Sequence, residues 1–293
     1  MGDIPNLNCS ASPQGPLSLA RPIGIFDSGM GGMSIVAALA PHLQGTCYYV
    51  ADDAYAPYGP KKKEEILQRA VLLTRQLLDW NCQLILVACN TATAAAIKEL
   101  RAMFNVPLVG VEPYLNFLHQ AALPPHASLA ALMTPATFAS EKYQMLKKKL
   151  DPQNQIREFT LPRLASLIES AIAQHYNPVS VQALQEELRP LQGQGITHLI
   201  LGCTHYPLIA ELIEDFLAVQ CVGPSQAISN HTLHLLSSTN SSADLPSSVA
   251  PPGPSSCQIF CQKTSNPAWQ KGLPDHLWPL AKVQQLFYHR PSR

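Results

Sequence analysis

The sequence predicts an α/β fold of two pseudo-symmetric, doubly wound parallel-sheet domains with the active site between them, and three observations carry that prediction. Short apolar runs of strand length alternate with amphipathic helical runs along most of the chain. One such run, 84–88, is apolar at every position and ends in Cys89-Asn90-Thr91 before an alanine-rich helix. Another, 198–202, ends in Cys203-Thr204-His205 before a second helical run. A strand that is apolar throughout is buried on both faces, as in a parallel sheet covered by helices. Thiols at the carboxyl ends of such strands lie where open α/β sheets bind ligands, next to helix N-termini that favour anions.

Each element follows from local pattern. A first strand is expected over 23–26, ending in Asp27-Ser28 and a glycine-rich turn, with a helix over about 33–39. A second strand spans 47–50, and the segment 52–60 is too rich in Pro and Gly to be regular. Over 64–80, Ile66, Ala70, Leu73 and Leu77 recur at helical spacing and form the stripe that packs on a sheet. The strand 84–88, a helix to about 104 and a short strand at 108–109 complete a β-α-β-α-β-α-β run. Past Glu112-Pro113, a helix to about 121 and a proline turn at 123–125 open the second unit. It continues with strand 128–133, Thr134-Pro135-Ala136-Thr137, helix 140–150, strand 156–160, helix 163–175 bearing Glu169, strand 198–202 and helix 208–216. A helix over 226–236 crosses back. The stretch 238–256 reads as a Ser/Pro-rich loop with little to bury, followed by a strand at 258–261 and a helix at 277–287. The expected domains are therefore a flexible extension over 1–20, a first α/β domain over 21–115 plus 226–293, and a second over 116–225.

Composition narrows the function. A chain of 293 residues with 46% hydrophobic content can build two cores. Lys+Arg and Asp+Glu both number 20, so there is no basic field for a nucleic acid. No apolar run approaches the roughly 18 residues of a membrane span. The expected partner is a small molecule, with no nucleic acid and no membrane. Residues 1–20 lack the basic and apolar regions of a secretory signal, and the eight cysteines suit a mixture of reduced core and reactive thiols rather than a disulfide framework. A cytoplasmic location follows.

Two other chemistries compete with the thiols. Gly29-x-Gly31-x-x-Ser34 approximates a dinucleotide fingerprint, and Asp52 stands near the position of a ribose-binding acid. Against this, the third small position is Ser34, and Asp27 puts a negative charge where a pyrophosphate would approach; the glycines equally suit a plain tight turn. Cys203-Thr204-His205 fits part of a zinc site, but about four ligands are needed and no C-x-x-C or paired His spacing supplies them. No metal is expected. A single buried cysteine usually behaves as a small hydrophobe. Cys89 and Cys203 stand apart because both end strands, both carry a neighbouring threonine, and one has Asn90 beside it while the other has His205. Cys9, Cys47, Cys82 and Cys221 lack such company and read as structural or incidental, and Cys257-x-x-x-Cys261 stands isolated near the tail.

Taken in order, Asp27-Ser28-Gly29-x-Gly31-Gly32, Pro57-Tyr58-Gly59, Cys89-Asn90-Thr91-Ala92-Thr93, Gly110-Val111-Glu112-Pro113, Thr134-x-x-Thr137 and Gly202-Cys203-Thr204-His205-Tyr206-Pro207-Leu208 resemble the motifs of glutamate racemases in the aspartate/glutamate racemase family. The resemblance covers about 23–236. It implies a cofactor-independent enzyme that interconverts L- and D-glutamate and supplies D-glutamate for peptidoglycan; a homodimer is left open. His205 favours glutamate, since aspartate racemases tend to carry Glu there. The resemblance also implies residue roles. Cys89 would work on D-glutamate, flanked by Asp27 and Ser28; Cys203 would work on L-glutamate, flanked by Glu169 and His205. Asn90, Thr91, Thr134, Thr137 and Thr204 would hold the α-amino and carboxylate groups, with Pro57, Tyr58 and Gly59 closing over the ligand through backbone contacts. Inverting an α-carbon needs a base on one face and an acid on the other, and thiols serve if helix N-termini lower their pKa. Three classes stay open: this racemase or one for aspartate or a related amino acid, a nucleotide-dependent enzyme, and a non-catalytic binding protein of the same fold.

Overall fold

Two sheets organise the chain. The computed structural model describes residues 16–240 and 257–271, apart from 114, 116, 117, 119–122 and 125. The expected helices to 121 and over 277–287, most of the loop 238–256 and most of the extension 1–20 fall outside the described residues.

The first half contains β1 (Leu17–Ser18), β2 (Ile23–Asp27), α1 (Met33–Leu39), β3 (Leu43–Ala51), α2 (Lys63–Asp79), β4 (Leu84–Val87), α3 (Asn90–Met103) and β5 (Leu108–Gly110). The second contains β6 (Leu129–Met133), α4 (Pro135–Ala139), α5 (Glu141–Leu150), β7 (Ile156–Thr160), α6 (Leu164–Ala173), α7 (Pro178–Leu188), β8 (His198–Leu201), α8 (Ala210–Leu217) and β9 (Gln220–Val222). The chain returns through α9 (Ser225–Asn240) to β10 (Cys257–Lys263) and β11 (Asn266–Lys271). The first sheet runs β11-β10-β3-β2-β4-β5, with β1 also on β3; the second runs β7-β6-β8-β9. Counted from β2 in one half and from β6 in the other, the strands lie in the same spatial order: second, first, third, fourth. Cys89 follows the third strand of its half, and Cys203 follows the third strand of the other.

Burial explains why these runs are strands. β2, β4 and β6 are buried at every position, because helices cover both faces of each sheet. In α2, Ile66, Ala70, Leu73 and Leu77 form the buried stripe, as their spacing requires. One apolar cluster runs from Ile25, Met33 and Tyr49 of the first half to Ile168, Leu199 and Leu201 of the second, so the halves share a core.

The structure corrects the sequence reading at several elements. Helix α7 was not expected, although Asn177 caps it by accepting from Ser180 N at 2.8 Å and Pro178 sits in its first turn. Strands β1, β9 and β11 were also missed, being short or at an edge. Leu17 and Ser18 pair with Leu43 and Gln44, so part of the expected flexible extension is a strand. Residues 238–240, expected in the loop, close helix α9. The first sheet is not wholly parallel, because β11 runs antiparallel to β10.

Candidate active site

Cys89 stands at the end of β4 as the residue capping α3. Its backbone is extended, and its Sγ accepts a hydrogen bond from Ala92 N at 3.4 Å, the place a Ser or Asp oxygen usually fills. It is 5% exposed, and its thiol lies 3.7 Å from Ser28 Oγ. Burial, then the charge of Asp27, push the Cys89 thiol well above its usual pKa, against the opposing Ala92 N–H. This corrects the expectation that a helix N-terminus lowers it: one N–H does not offset burial and a neighbouring carboxylate, so Cys89 rests as the neutral thiol.

Asp27, at the end of β2, is completely buried. Its Oδ1 accepts from Ser28 N at 2.6 Å and from Ser28 Oγ at 3.3 Å; its Oδ2 accepts from Gly32 N at 2.5 Å and Thr204 Oγ1 at 3.0 Å. Burial raises its pKa, while His205 and these donors oppose the rise. Asp27 is thus a carboxyl that can exchange a proton near Cys89. Thr204 comes from the other half, where its carbonyl also accepts from Ser34 Oγ at 3.2 Å.

The second thiol lies beside an imidazole rather than a carboxyl. Cys203 Sγ lies 3.7 Å from His205 Nδ1, and His205 Nε2 lies 2.7 Å from Glu169 Oε1. The same Glu169 oxygen accepts from Met30 N at 2.6 Å. An ionised carboxylate only accepts, so Nε2 carries a proton and Nδ1 is the nitrogen that faces the sulfur. Burial works against a charged imidazole, but hydrogen bonds to Cys203 and Glu169 outweigh it and hold His205 well above its usual pKa. Burial likewise opposes the Glu169 charge, yet its bond to His205 leaves its pKa lowered. Cys203, His205 and Glu169 form a thiol–imidazole–carboxylate chain. Cys89 has instead Ser28 and Asp27.

Gly29 and Gly31 have a role the sequence did not reveal. A Cβ at Gly29 would overlap Glu169 Oε1, and one at Gly31 would overlap the His205 ring. The glycines let the loop after β2 lie directly against the imidazole and carboxylate of the other half. Tyr49, whose hydroxyl donates to Gly29 O at 2.6 Å, anchors that loop from beneath.

The three threonines also meet across the halves. Thr91 Oγ1 lies 3.2 Å from Thr134 Oγ1 and 3.4 Å from Thr137 Oγ1, and Thr134 caps α4 by accepting from Thr137 N at 3.2 Å. Asn90, 3% exposed, has neither amide atom partnered and lines a small cavity with Thr93, Val111, Thr137 and Tyr143. Tyr58 is buried in the cluster that includes Cys89, and its hydroxyl donates to Asp52 Oδ2 at 2.5 Å; Pro57 follows a cis peptide bond and Gly59 borders open space. The Tyr58 side chain is therefore committed to packing. Asp52 is fully buried and gripped by Arg69, whose Nε donates at 2.9 Å and whose second nitrogen donates at 2.5 Å. It is committed to that ion pair, which removes the ribose role a nucleotide reading requires. Arg69 and Met30 are the contributors that sequence reading missed; only the burial of Asp52 and the backbone path could reveal them.

The model of the Asp/Glu/Hydantoin racemase family matches residues 33–232. The chain belongs to this family. Among its members, the glutamate racemase of Lactobacillus acidophilus is 33% identical over 220 residues, covering 74% of this chain and 81% of that protein. The crystal structure of Escherichia coli glutamate racemase, in complex with L-glutamate and the activator UDP-MurNAc-Ala, superposes with a TM-score of 0.67 at 27% identity, covering 91% of this chain and 95% of that one. The Francisella tularensis glutamate racemase, in complex with D-glutamate, superposes at 0.65 with 27% identity, over 90% of this chain and 92% of that one. The two-sheet α/β fold of this chain thus matches those glutamate racemase structures over nine-tenths of its length. Among the described residues, no helix is long and apolar enough to cross a membrane.

Proposed function

We propose that this enzyme interconverts L- and D-glutamate through two cysteines, without a cofactor, as a cytoplasmic source of D-glutamate for peptidoglycan. Membership of the racemase family and similarity to glutamate racemases support the substrate. The observation that carries the mechanism is the pairing of two buried thiols, each at the end of the equivalent strand of its half and each with its own proton partner. They are close enough that charge on Cys203 raises the Cys89 pKa.

Removing a proton from an α-carbon flanked by a carboxylate requires a base on one face, and inversion requires an acid on the other. Cys203 takes the proton of L-glutamate, with His205 accepting and returning its own proton through Nδ1 and Glu169 holding the ring. Cys89 supplies a proton from the opposite face, which suits its raised pKa, and Asp27 and Ser28 restore it. In the reverse direction Cys89 acts on D-glutamate after passing its proton to Asp27. Asn90, Thr91, Thr134, Thr137 and Thr204 hold the α-amino and carboxylate groups. The unpartnered Asn90 amide supports this role, since a buried polar group without a partner costs about 1–3 kcal/mol. The backbone of Pro57, Tyr58 and Gly59 closes the near side.

The decisive test follows circular dichroism of pure L- and pure D-glutamate with purified protein and no added cofactor. Loss of signal from both enantiomers supports the proposal. Binding without signal loss would show a non-catalytic member, and turnover of aspartate in place of glutamate would reassign the substrate.

A further inference from the structure

Outside the active site, one pair of nucleophiles is assembled by the sheet itself. Cys47 of β3 and Cys257 of β10 lie with their sulfurs 3.1 Å apart, although they are 210 positions apart in the chain. The parallel register explains the meeting. Cys47 is opposite Ile259 and Cys257 opposite Gly45, so the two cysteines are diagonal neighbours on one face of the sheet. Cys257 is the first residue of β10, where a small shift disturbs only the end of the ladder. A disulfide needs about 2.05 Å between sulfurs, so the thiols must approach by about 1 Å.

Their surroundings differ in a way that assigns an order to the chemistry. Cys47 is 1% exposed, whereas Cys257 is only half-buried. The hydrogen bond between them, then burial, raise the Cys47 pKa well above its usual value. The same hydrogen bond lowers that of Cys257 against the effect of burial. Cys257 is the better thiolate, and Cys47 remains the thiol that donates to it.

We propose that Cys47 and Cys257 form an oxidation site for hydroperoxides, closing as a disulfide that joins β3 to β10. The Cys257 thiolate attacks the O–O bond of the hydroperoxide, which breaks; a proton completes the leaving alcohol or water, and Cys257 becomes a sulfenic acid. The Cys47 thiol then attacks that sulfur, forming the S–S bond and releasing water. Two thiols are oxidised by two electrons, and one peroxide is reduced. A disulfide of this kind in a reducing compartment is characteristically transient. The bond would fasten the start of the strand whose far end carries Lys263 to the neighbourhood of Glu169, where its charge helps lower the carboxyl pKa.

The test uses the full chain, reduced and then treated with stoichiometric hydrogen peroxide, with free thiols blocked before digestion. A Cys47–Cys257 cross-linked peptide is expected in mass spectra, together with loss of two of the eight thiols and their recovery with dithiothreitol. After peroxide and then unfolding in denaturant, the Cys257→Ser variant should leave Cys47 alkylatable, whereas the wild-type Cys47 should resist alkylation until reduced. Because mapping the wild-type protein needs no variant, a failure of that variant to fold leaves the first measurement intact. Linkage of Cys47 to Cys82, or Cys257 recovered as a sulfinic or sulfonic acid with Cys47 still free, would overturn the proposal.

Discussion

At the scale of the residue, the two thiols are equivalent in position but not in environment. Cys89 is a buried thiol under a carboxylate, and Cys203 faces an imidazole held by Glu169. Replacing either by Ala is expected to lower racemisation by about 10²- to 10⁴-fold or more, the usual weight of a general acid or base, while leaving the circular dichroism of the folded protein unchanged. Because enantiomers have equal free energies in water, kcat/KM must fall equally in both directions; near-normal turnover in either variant removes the two-thiol mechanism. Glu169→Gln tests the ion pair through its pH dependence. The pKa of His205 is raised above its ordinary 6.5, so its stabilisation is complete below that pH and fades as pH rises through the folded value. Glu169 is lowered below 4.5, so its stabilisation is present above that pH and fades as pH falls through the folded value. The Gln variant should therefore lose most stability, measured as a denaturation midpoint, between about pH 4.5 and 6.5. A loss that stays the same below pH 4.5 as between 4.5 and 6.5 would argue for packing instead.

At the scale of the element, the helices and strands that motifs punctuate were legible, and those lacking a strong period were not. Strand 84–88 could be read because it is apolar throughout, and helix 64–80 because its stripe is regular. Helix α7 escaped because its buried face mixes Ser180 and Glu187 with Leu184 and Leu188, so only its Asn-Pro start announces it. Strand β9 is three residues long, below what alternation can reveal. For the site, the strand ends placed Asp27, Cys89, Thr134 and Cys203. The tertiary approach of Gly29 and Gly31 to Glu169 and His205 has no local signal. Helix α8 offers a separate prediction. It ends at Ala218, an exposed residue with φ 55° and ψ 46°, a left-handed conformation that costs an L-residue energy and glycine little. Ala218→Gly is expected to stabilise the protein by about 0.5–1 kcal/mol, after allowing for the greater freedom of unfolded glycine. A lower denaturation midpoint would show that the strain is absent.

At the scale of the whole molecule, the repeated strand order brings two sheet edges face to face with one thiol on each. In the proposed two-thiol mechanism the delivered proton never belonged to the substrate, so in heavy water first-formed product should carry deuterium at the α-carbon while recovered substrate stays largely protiated. Product retaining much of its original hydrogen in early turnovers would mean that a single base serves both faces. The bonds that cross between the halves have a further consequence. Met30 to Glu169 and Thr204 to Asp27 each end on a carboxylate of the proposed catalytic set, and Thr91 to Thr134 joins two of the proposed binding hydroxyls. A hinge motion wide enough to part the halves must break these same contacts. The clasp that keeps the door shut is also the brace of the machine behind it: each thiol keeps its own proton partners when the door stands open, but Asp27 and Glu169 lose the donors from the opposite half that hold them in place.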